Sequence, residues 1–257
     1  KDLIEILMTA QFIHSIFRVT TPILFATLGA VIADRAGVPN IALEGIMLIA
    51  AFCGVFGSAA THSALAGLGI ALLSGLICAA VLALFTLYYH ANVILGGIAI
   101  NSLASGGTVF FLYLFTGDKG SSSSIASGVL PDIQIPLLDR IPFLGQVISG
   151  QNVLTYLAFL SIIFVAVLLG RTALGSHIKA VGENEKAAES VGINVNRTRF
   201  IAFLISGILV SFGGAFMSMG YVSMFSRDMI SGRGWIAVAA EAMGGANPIP
   251  CALAAIA

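Results

Sequence analysis

RTALGSHIKAVGENEKAAESVGINVNRTR, residues 171–199, is a hydrophilic island between two long apolar runs. Of the chain's 24 formal charges, counted as 12 Lys+Arg and 12 Asp+Glu, eight lie in this stretch. So much charge does not enter hydrocarbon, so the island is an aqueous loop and the runs on either side of it are membrane spans. Composition agrees. Charged residues make up 9% of the chain, against roughly 25% in soluble domains. With a mean hydropathy of +1.01, there is too little polar side chain to coat a globule in water. The sequence therefore predicts an all-α, polytopic integral membrane helix bundle with membrane lipid as part of its solvent.

Working outward from the loop, spans are placed by length, because about 20 apolar residues cross a core of about 30 Å. They fall near residues 19–33, 41–60, 63–89, 93–116, 153–170 and 200–221. The first is short and carries Pro22, with Arg18 at one border and Asp34 and Arg35 at the other. Residues 1–16, KDLIEILMTAQFIHSI, alternate apolar and polar positions at helical spacing and are expected to form an interfacial helix. Trp235–Met243 is an apolar run too short to cross, with Glu241 inside it and GGANPIP at 244–250 behind it. That combination predicts a re-entrant half-helix, tolerated at membrane depth only where protein or a watery path surrounds it. Without an initiator Met, and ending inside an apolar run, residues 1–257 read as one transmembrane domain trimmed at both termini, with further spans beyond the carboxyl end.

Basic residues set the orientation. Loop 171–199 holds Arg171, Lys179, Lys186, Arg197 and Arg199, whereas the longer loop 117–152 holds Lys119 and Arg140. The first is assigned to the cytosol and the second, with SSSS at 121–124 and prolines at 131, 136 and 142, to the outside as an irregular exposed segment. Within the cytosolic loop Asn184 can cap a short helix over residues 185–189, and Gly192 can stop it.

Formal net charge is zero, which argues against nucleic acid as a partner. No phosphate-binding loop, HExxH or GxSxG pattern occurs, and His14, His62, His90 and His177 are scattered, so no catalytic residue, metal ligand or cofactor is expected. Cys53, Cys78 and Cys251 lie in apolar surroundings and are read as small core residues. Polar anomalies inside spans are the candidates for a solute pathway: Asn40 and Glu44 at the start of the second span, Asn101 within the fourth, and Glu241. A structural role competes for each, with Glu44 capping helix amides or pairing with Arg35 near the cytosolic interface, and Asn101 bonding one helix to another. Small residues recur every four positions at Gly67, Ala71, Gly75, Ala79 and Ala83, and again at Gly207, Ser211 and Ala215. Such rows let helices pack closely in lipid.

Three stretches together carry a family resemblance. Residues 180–239, AVGENEKAAESVGINVNRTRFIAFLISGILVSFGGAFMSMGYVSMFSRDMISGRGWIAVA, resemble the signature half of permease subunits of bacterial ABC importers, in the branched-chain amino acid, ribose and nucleoside superfamily. GVPNIALEGIMLIAAF at 37–52 is similar to the Asn-x-x-x-Glu-Gly stretch of the nucleoside and simple-sugar branch, and GGIAINSLASGGT at 96–108 to its Gly-x-Ala-x-Asn stretch. Pro39, Ala42 and Glu241 depart from the pattern. The resemblance implies a multi-pass permease of the bacterial plasma (inner) membrane that moves a nucleoside or simple sugar by alternating access. It also implies ABC ATPase subunits that hydrolyse ATP, a second permease subunit, and an extracytoplasmic solute-binding protein. Residues 182–192 would form the coupling helix, with Gly182, Glu183, Ala187, Ala188 and Gly192 at the docking positions. The alternatives are an ABC permease for branched-chain amino acids or ribose, and an ion-coupled secondary transporter.

Overall fold

A computed structural model describes residues 10–134 and 149–257. In chain order its helices are α1 (Ala10–Arg35), α2 (Leu43–Thr61), α3 (Ala64–Leu87), α4 (Val93–Thr116), α5 (Val153–Arg171), α6 (Ala173–Glu183), α7 (Glu185–Ser190), α8 (Val195–Ala215), α9 (Arg233–Gly244) and α10 (Pro248–Ile256). A π-helical turn, Phe216–Tyr221, extends α8. A two-residue antiparallel pair, β1 (Asp132–Ile133) with β2 (Gln151–Asn152), closes the loop before α5. Among the described residues six helices are long and apolar enough to cross a membrane: α1 to α5, and α8 with its π turn.

Helix starts follow local chemistry. Ser63, Asn92, Asn152, Thr172, Asn184 and Asn194 each stand in extended backbone just before a helix and accept hydrogen bonds from its first amides. Asn184 caps α7 through the Ala187 amide at 3.1 Å, and Gly192 follows that helix with a φ of +86°, as the composition predicts.

The amino-terminal segment differs from the expectation. Residues 1–9 lie outside the described residues, and residues 10–16 are not a separate interfacial helix but the first turns of α1, which runs unbroken through Pro22. The Thr20 and Thr21 hydroxyls donate to the carbonyls of Ile16 and Phe17 in the turn before the proline. Arg18, read as an interfacial cation, is exposed, donates to the Tyr221 carbonyl at 3.0 Å and lies over the Tyr221 ring, so it also ties α1 to the end of the π turn.

α1, α2 and α8 form the buried centre, with Phe25, Phe203, Leu24, Leu43, Ile46 and Met47 inaccessible. α3, α4 and α5 turn apolar side chains such as Leu73, Ile77, Leu103, Phe110, Leu160 and Ile163 outward. The two small-residue rows face each other. A Cβ on Gly75 would collide with Ser211, and one on Gly207 with the Ala79 methyl, so α3 and α8 meet nearly backbone to backbone. The loop after α4 is pinned rather than free: Ser122 and Phe225 exchange two hydrogen bonds, and the Ser58 hydroxyl accepts from the Gly128 amide at 2.6 Å. Arg140 lies outside the described residues.

Two segments break the regular pattern, and they place the site. The chain after α1 does not turn straight into α2. Arg199 donates to the Ala36 carbonyl, whereas Asn40 donates to Ser206, seven residues further along α8. At 1.5 Å per helical residue, the 36–40 segment thus climbs about 10 Å along α8 before α2 begins. The second segment follows the π turn. Tyr221 sits at the Arg18 level of α1, while Gly245 and Ala246 sit at Arg35. Those levels are 17 residues apart on one helix, about 26 Å. Residues 222–232 and α9 therefore make one broken crossing, an irregular outer half and a helical inner half. The half-helix is present, but it leaves at the face opposite to the one it came from rather than re-entering.

Candidate functional site

At the depth where α2 begins, α2, α4, α8 and α9 are tied by the side chains of Asn40, Glu44 and Asn101. The Asn40 amide oxygen accepts from the Ala42 amide at 3.0 Å while its nitrogen donates to the Ser206 hydroxyl at 3.0 Å, joining α2 to α8. The Asn101 oxygen accepts from the Gly45 amide at 2.7 Å and its nitrogen donates to the Ile41 carbonyl at 2.9 Å, joining α2 to α4. Gly45 is required for that approach, because a Cβ there would come within 2.8 Å of the Asn101 oxygen.

Glu44 makes the third tie. Its two oxygens accept from the Gly232 and Gly234 amides at 2.8 and 2.7 Å. Gly232 begins α9 with a φ of +83° and offers no side chain of its own as a cap. Glu44 supplies the missing cap from another helix, placing a carboxylate on the positive end of the α9 dipole. Sequence reasoning assigned amide capping as one of its roles, and in the structure the capped helix is α9. Pairing with Arg35 does not occur, and the climb of residues 36–40 along α8 sets Glu44 deeper than an interfacial position.

The other end of α9 mirrors this arrangement. The Arg35 guanidinium donates to the carbonyls of Ala246 at 2.6 Å and Gly245 at 3.3 Å, and to the Asn247 side-chain oxygen at 2.6 Å. A helix C-terminus leaves carbonyls without amide partners, and a planar cation satisfies several of them at once. α9 is thus held by an acid at its amino end and a base at its carboxyl end.

Asn40, Glu44 and Asn101 are brought together; Glu241 is not. It lies nine residues beyond Gly232, about 13 Å along the helix axis, with its carboxyl against Asp34. There it lines a cavity of about 450 Å³ with Asp34, Arg35, Lys179, Gly182 and Glu183. This cavity opens between the inner end of α9 and the α6–α7 segment.

α6 packs on the bundle end, with Ile178 buried in the main core, and α7 beyond it is the more exposed of the two. Glu183, Glu185, Lys186, Ala187 and Glu189 are exposed, and Val191 is 74% exposed although it is apolar. Ala188, expected at a docking position, is 2% exposed and packs with Val181 and Val195 in a small satellite core. Its methyl faces inward because the i, i+3 and i+4 geometry of so short a helix leaves one residue to bury. Gly182 lies against the backbone of α1: a Cβ there would overlap the Arg35 carbonyl oxygen. Arg199 on α8 pairs with Glu185 on α7 at 3.1 Å.

Sequence reasoning missed Arg35, Arg199, Ser206, Gly232 and Gly234 as parts of this machinery. A basic residue at a span end has an ordinary interfacial explanation, and a glycine in a polar loop has an ordinary turn explanation, so neither stood out.

Among the described residues, six spans with one further broken crossing and a buried polar node beside it make an all-α polytopic integral membrane protein. The chain belongs to the family described as branched-chain amino acid transport system / permease component, which matches residues 12–257, and it is the transmembrane permease of an ABC importer in the plasma membrane. It is 33% identical over 259 residues to the guanosine ABC transporter permease protein NupQ of Bacillus subtilis, covering 96% of this chain and 78% of that protein. It is 31% identical over 263 residues to the nucleoside ABC transporter permease protein NupC of Lactococcus lactis, covering 98% and 80%. A Haloferax volcanii permease named for glucose, TsgC13, is 32% identical over 234 residues, covering 90% and 69%. No solved structure matches the chain.

Proposed function

We propose that this permease imports a nucleoside, or failing that a simple sugar, and that residues 182–192 form the cytosolic coupling segment on which an ABC ATPase subunit docks. ATP is hydrolysed by that partner, a second permease subunit completes the membrane unit, and an extracytoplasmic binding protein delivers the solute. One observation carries the docking reading: the end of α6 and the whole of α7 present Glu183, Lys186 and Ala187 to water, with the apolar Val191 exposed just after them, while Ala188 anchors α7 beneath. A short capped helix with small and charged side chains facing water and one methyl buried beneath is a compact knob that suits a shallow groove on a soluble partner. The nucleoside preference is supported by the named relatives from Bacillus subtilis and Lactococcus lactis. Gly182 and Gly192 then act from behind the surface, the first by close packing on α1 and the second by ending α7. Asn40, Glu44 and Asn101 serve the pathway by holding the helices around the broken crossing, and Glu241 by lining its inner mouth.

Transport follows from alternating access. A partner that changes shape on ATP binding shifts the permease only if its docking energy differs between two arrangements of the spans. The test is reconstitution of the permease with its ATPase and binding protein in liposomes, with labelled guanosine, glucose and leucine offered separately. ATP-dependent guanosine uptake, abolished in Glu183→Arg or Ala187→Trp while the complex still assembles, is the expected result. Uptake that continues without the ATPase overturns the ABC reading in favour of an ion-driven carrier. Uptake of leucine in preference to guanosine overturns the solute assignment.

A further inference from the structure

We propose that Arg35 is the positioning residue that transmits movement of the α6–α7 segment to the broken crossing, a role that rests on the docking function assigned above to that segment. Three observations place it in the line of force. The backbone around Arg35 is clasped by the coupling region: Gly182 packs on the Arg35 carbonyl, Gly37 packs on Gly182, and Arg199 donates to the Ala36 carbonyl while pairing with Glu185 of α7. The side chain of the same residue makes its three hydrogen bonds all on the turn between α9 and α10, across the cavity that α6 also lines. That turn is shaped for the grip, since Gly245 and Ala246 both have left-handed backbones, with φ of +60° and +54°, which turn their carbonyls toward α1.

The consequence is directional. Displacement of the α6–α7 segment reaches residues 35–37 through the packed backbone of Gly182 at the end of α6, and from α7 through the Glu185–Arg199 pair, and leaves through a guanidinium that fixes three acceptors in one plane. A lysine ammonium is a point charge without that planar fork, so it retains the attraction and loses the orientation. At its far end α9 is held by Glu44, so a push at the Arg35 end tilts the helix about its amino-terminal cap rather than sliding it. The broken crossing thereby becomes the element whose two positions the ATPase selects.

The measurement is the number of ATP molecules hydrolysed per solute imported, in liposomes carrying the complete complex of permease, ATPase and binding protein. This ratio separates positioning from folding, because a loss of folded complexes lowers hydrolysis and uptake together and leaves the ratio unchanged. Arg35→Ala is expected to raise it at least fivefold, and Arg35→Lys to restore it only partly. Asn247→Ala removes one of the three acceptors without touching the coupling segment and is expected to raise the ratio two- to threefold; it decides the matter if Arg35→Ala does not assemble. A ratio within 1.5-fold of wild type in every Arg35 and Asn247 variant that assembles overturns the proposal. Glu183→Arg is run alongside. If it uncouples and the Arg35 and Asn247 variants do not, only the role of Arg35 fails; if it too leaves the ratio unchanged, the docking assignment beneath it fails.

Discussion

Replacing Glu44 with alanine removes both acceptors that cap α9, and the structure sets the size of the effect. The two bonds, at 2.8 and 2.7 Å, join a carboxylate to backbone amides that have no other acceptor at the helix start. A hydrogen bond to a charged group contributes about 1.5–3 kcal/mol. Because one local opening breaks both, and water reaches part of the site, the combined loss is about 3 kcal/mol rather than the sum of two maxima. At 1.4 kcal/mol per tenfold, the first turn of α9 should open about a hundredfold more often. Hydrogen exchange followed by mass spectrometry on a peptide covering Ser231–Ile236, with the protein in nanodiscs, reads this directly. Glu44→Gln keeps one oxygen and turns an amide donor toward an amide donor, so about a tenfold increase is expected there. Exchange in Glu44→Ala within about threefold of wild type would show that the first turn of α9 is held by something other than this carboxylate.

Other substitutions test neighbouring parts of the fold. Asn101→Leu strands the Gly45 amide and the Ile41 carbonyl, at about 1–3 kcal/mol each, and should lower the thermal midpoint clearly; Ser102→Ala, one residue away on the outward side of α4, should leave it unchanged within about 0.5 kcal/mol. Gly75→Leu forces α3 from α8 at the Ser211 contact and should destabilise by about 1–3 kcal/mol in thermal unfolding. Arg199→Ala should cost about 2–3 kcal/mol, since the buried Ala36 carbonyl loses a charged donor, whereas Glu185→Ala, which removes only a half-exposed ion pair, should cost less than about 1 kcal/mol. Equal losses at those two positions would assign the stabilisation to the ion pair instead.

Much of this architecture was visible in the sequence because lipid punishes exceptions. Spans after the first show as apolar runs, and the small-residue rows on α3 and α8 mark the faces that meet. The caps at Asn184 and Gly192 need only their own helix and were legible for that reason. Asn40, Glu44 and Asn101 stood out as polar groups at span positions, but the partners that join them to other helices lie 56 to 190 residues away along the chain, and no local pattern encodes such pairings. The depth of Glu44 was misjudged because residues between two spans are assumed to be a surface loop, whereas here a turn at 36–37 and the residues after it run inward along α8. The broken crossing was half-legible: α9 shows as an apolar run, but its outer half has no periodicity and depends on Ser122, Phe52 and Arg18 from elsewhere. Arg18 itself hid the continuity of α1 by looking like an interfacial anchor.

Arg35 and Glu44, the two grips on α9, belong to one stretch of ten residues, and α9 between them is about 18 Å long by its 12 residues. The short strand of backbone from 36 to 43 therefore works as a gauge block, its length measured against that of a helix two hundred residues downstream. Adding or deleting a single residue there would shift one grip against the other by about 3.3 Å, too much for both to hold, while leaving every span intact. Length variation should be least tolerated in this inconspicuous connector, and a change there would stall the importer without unfolding it.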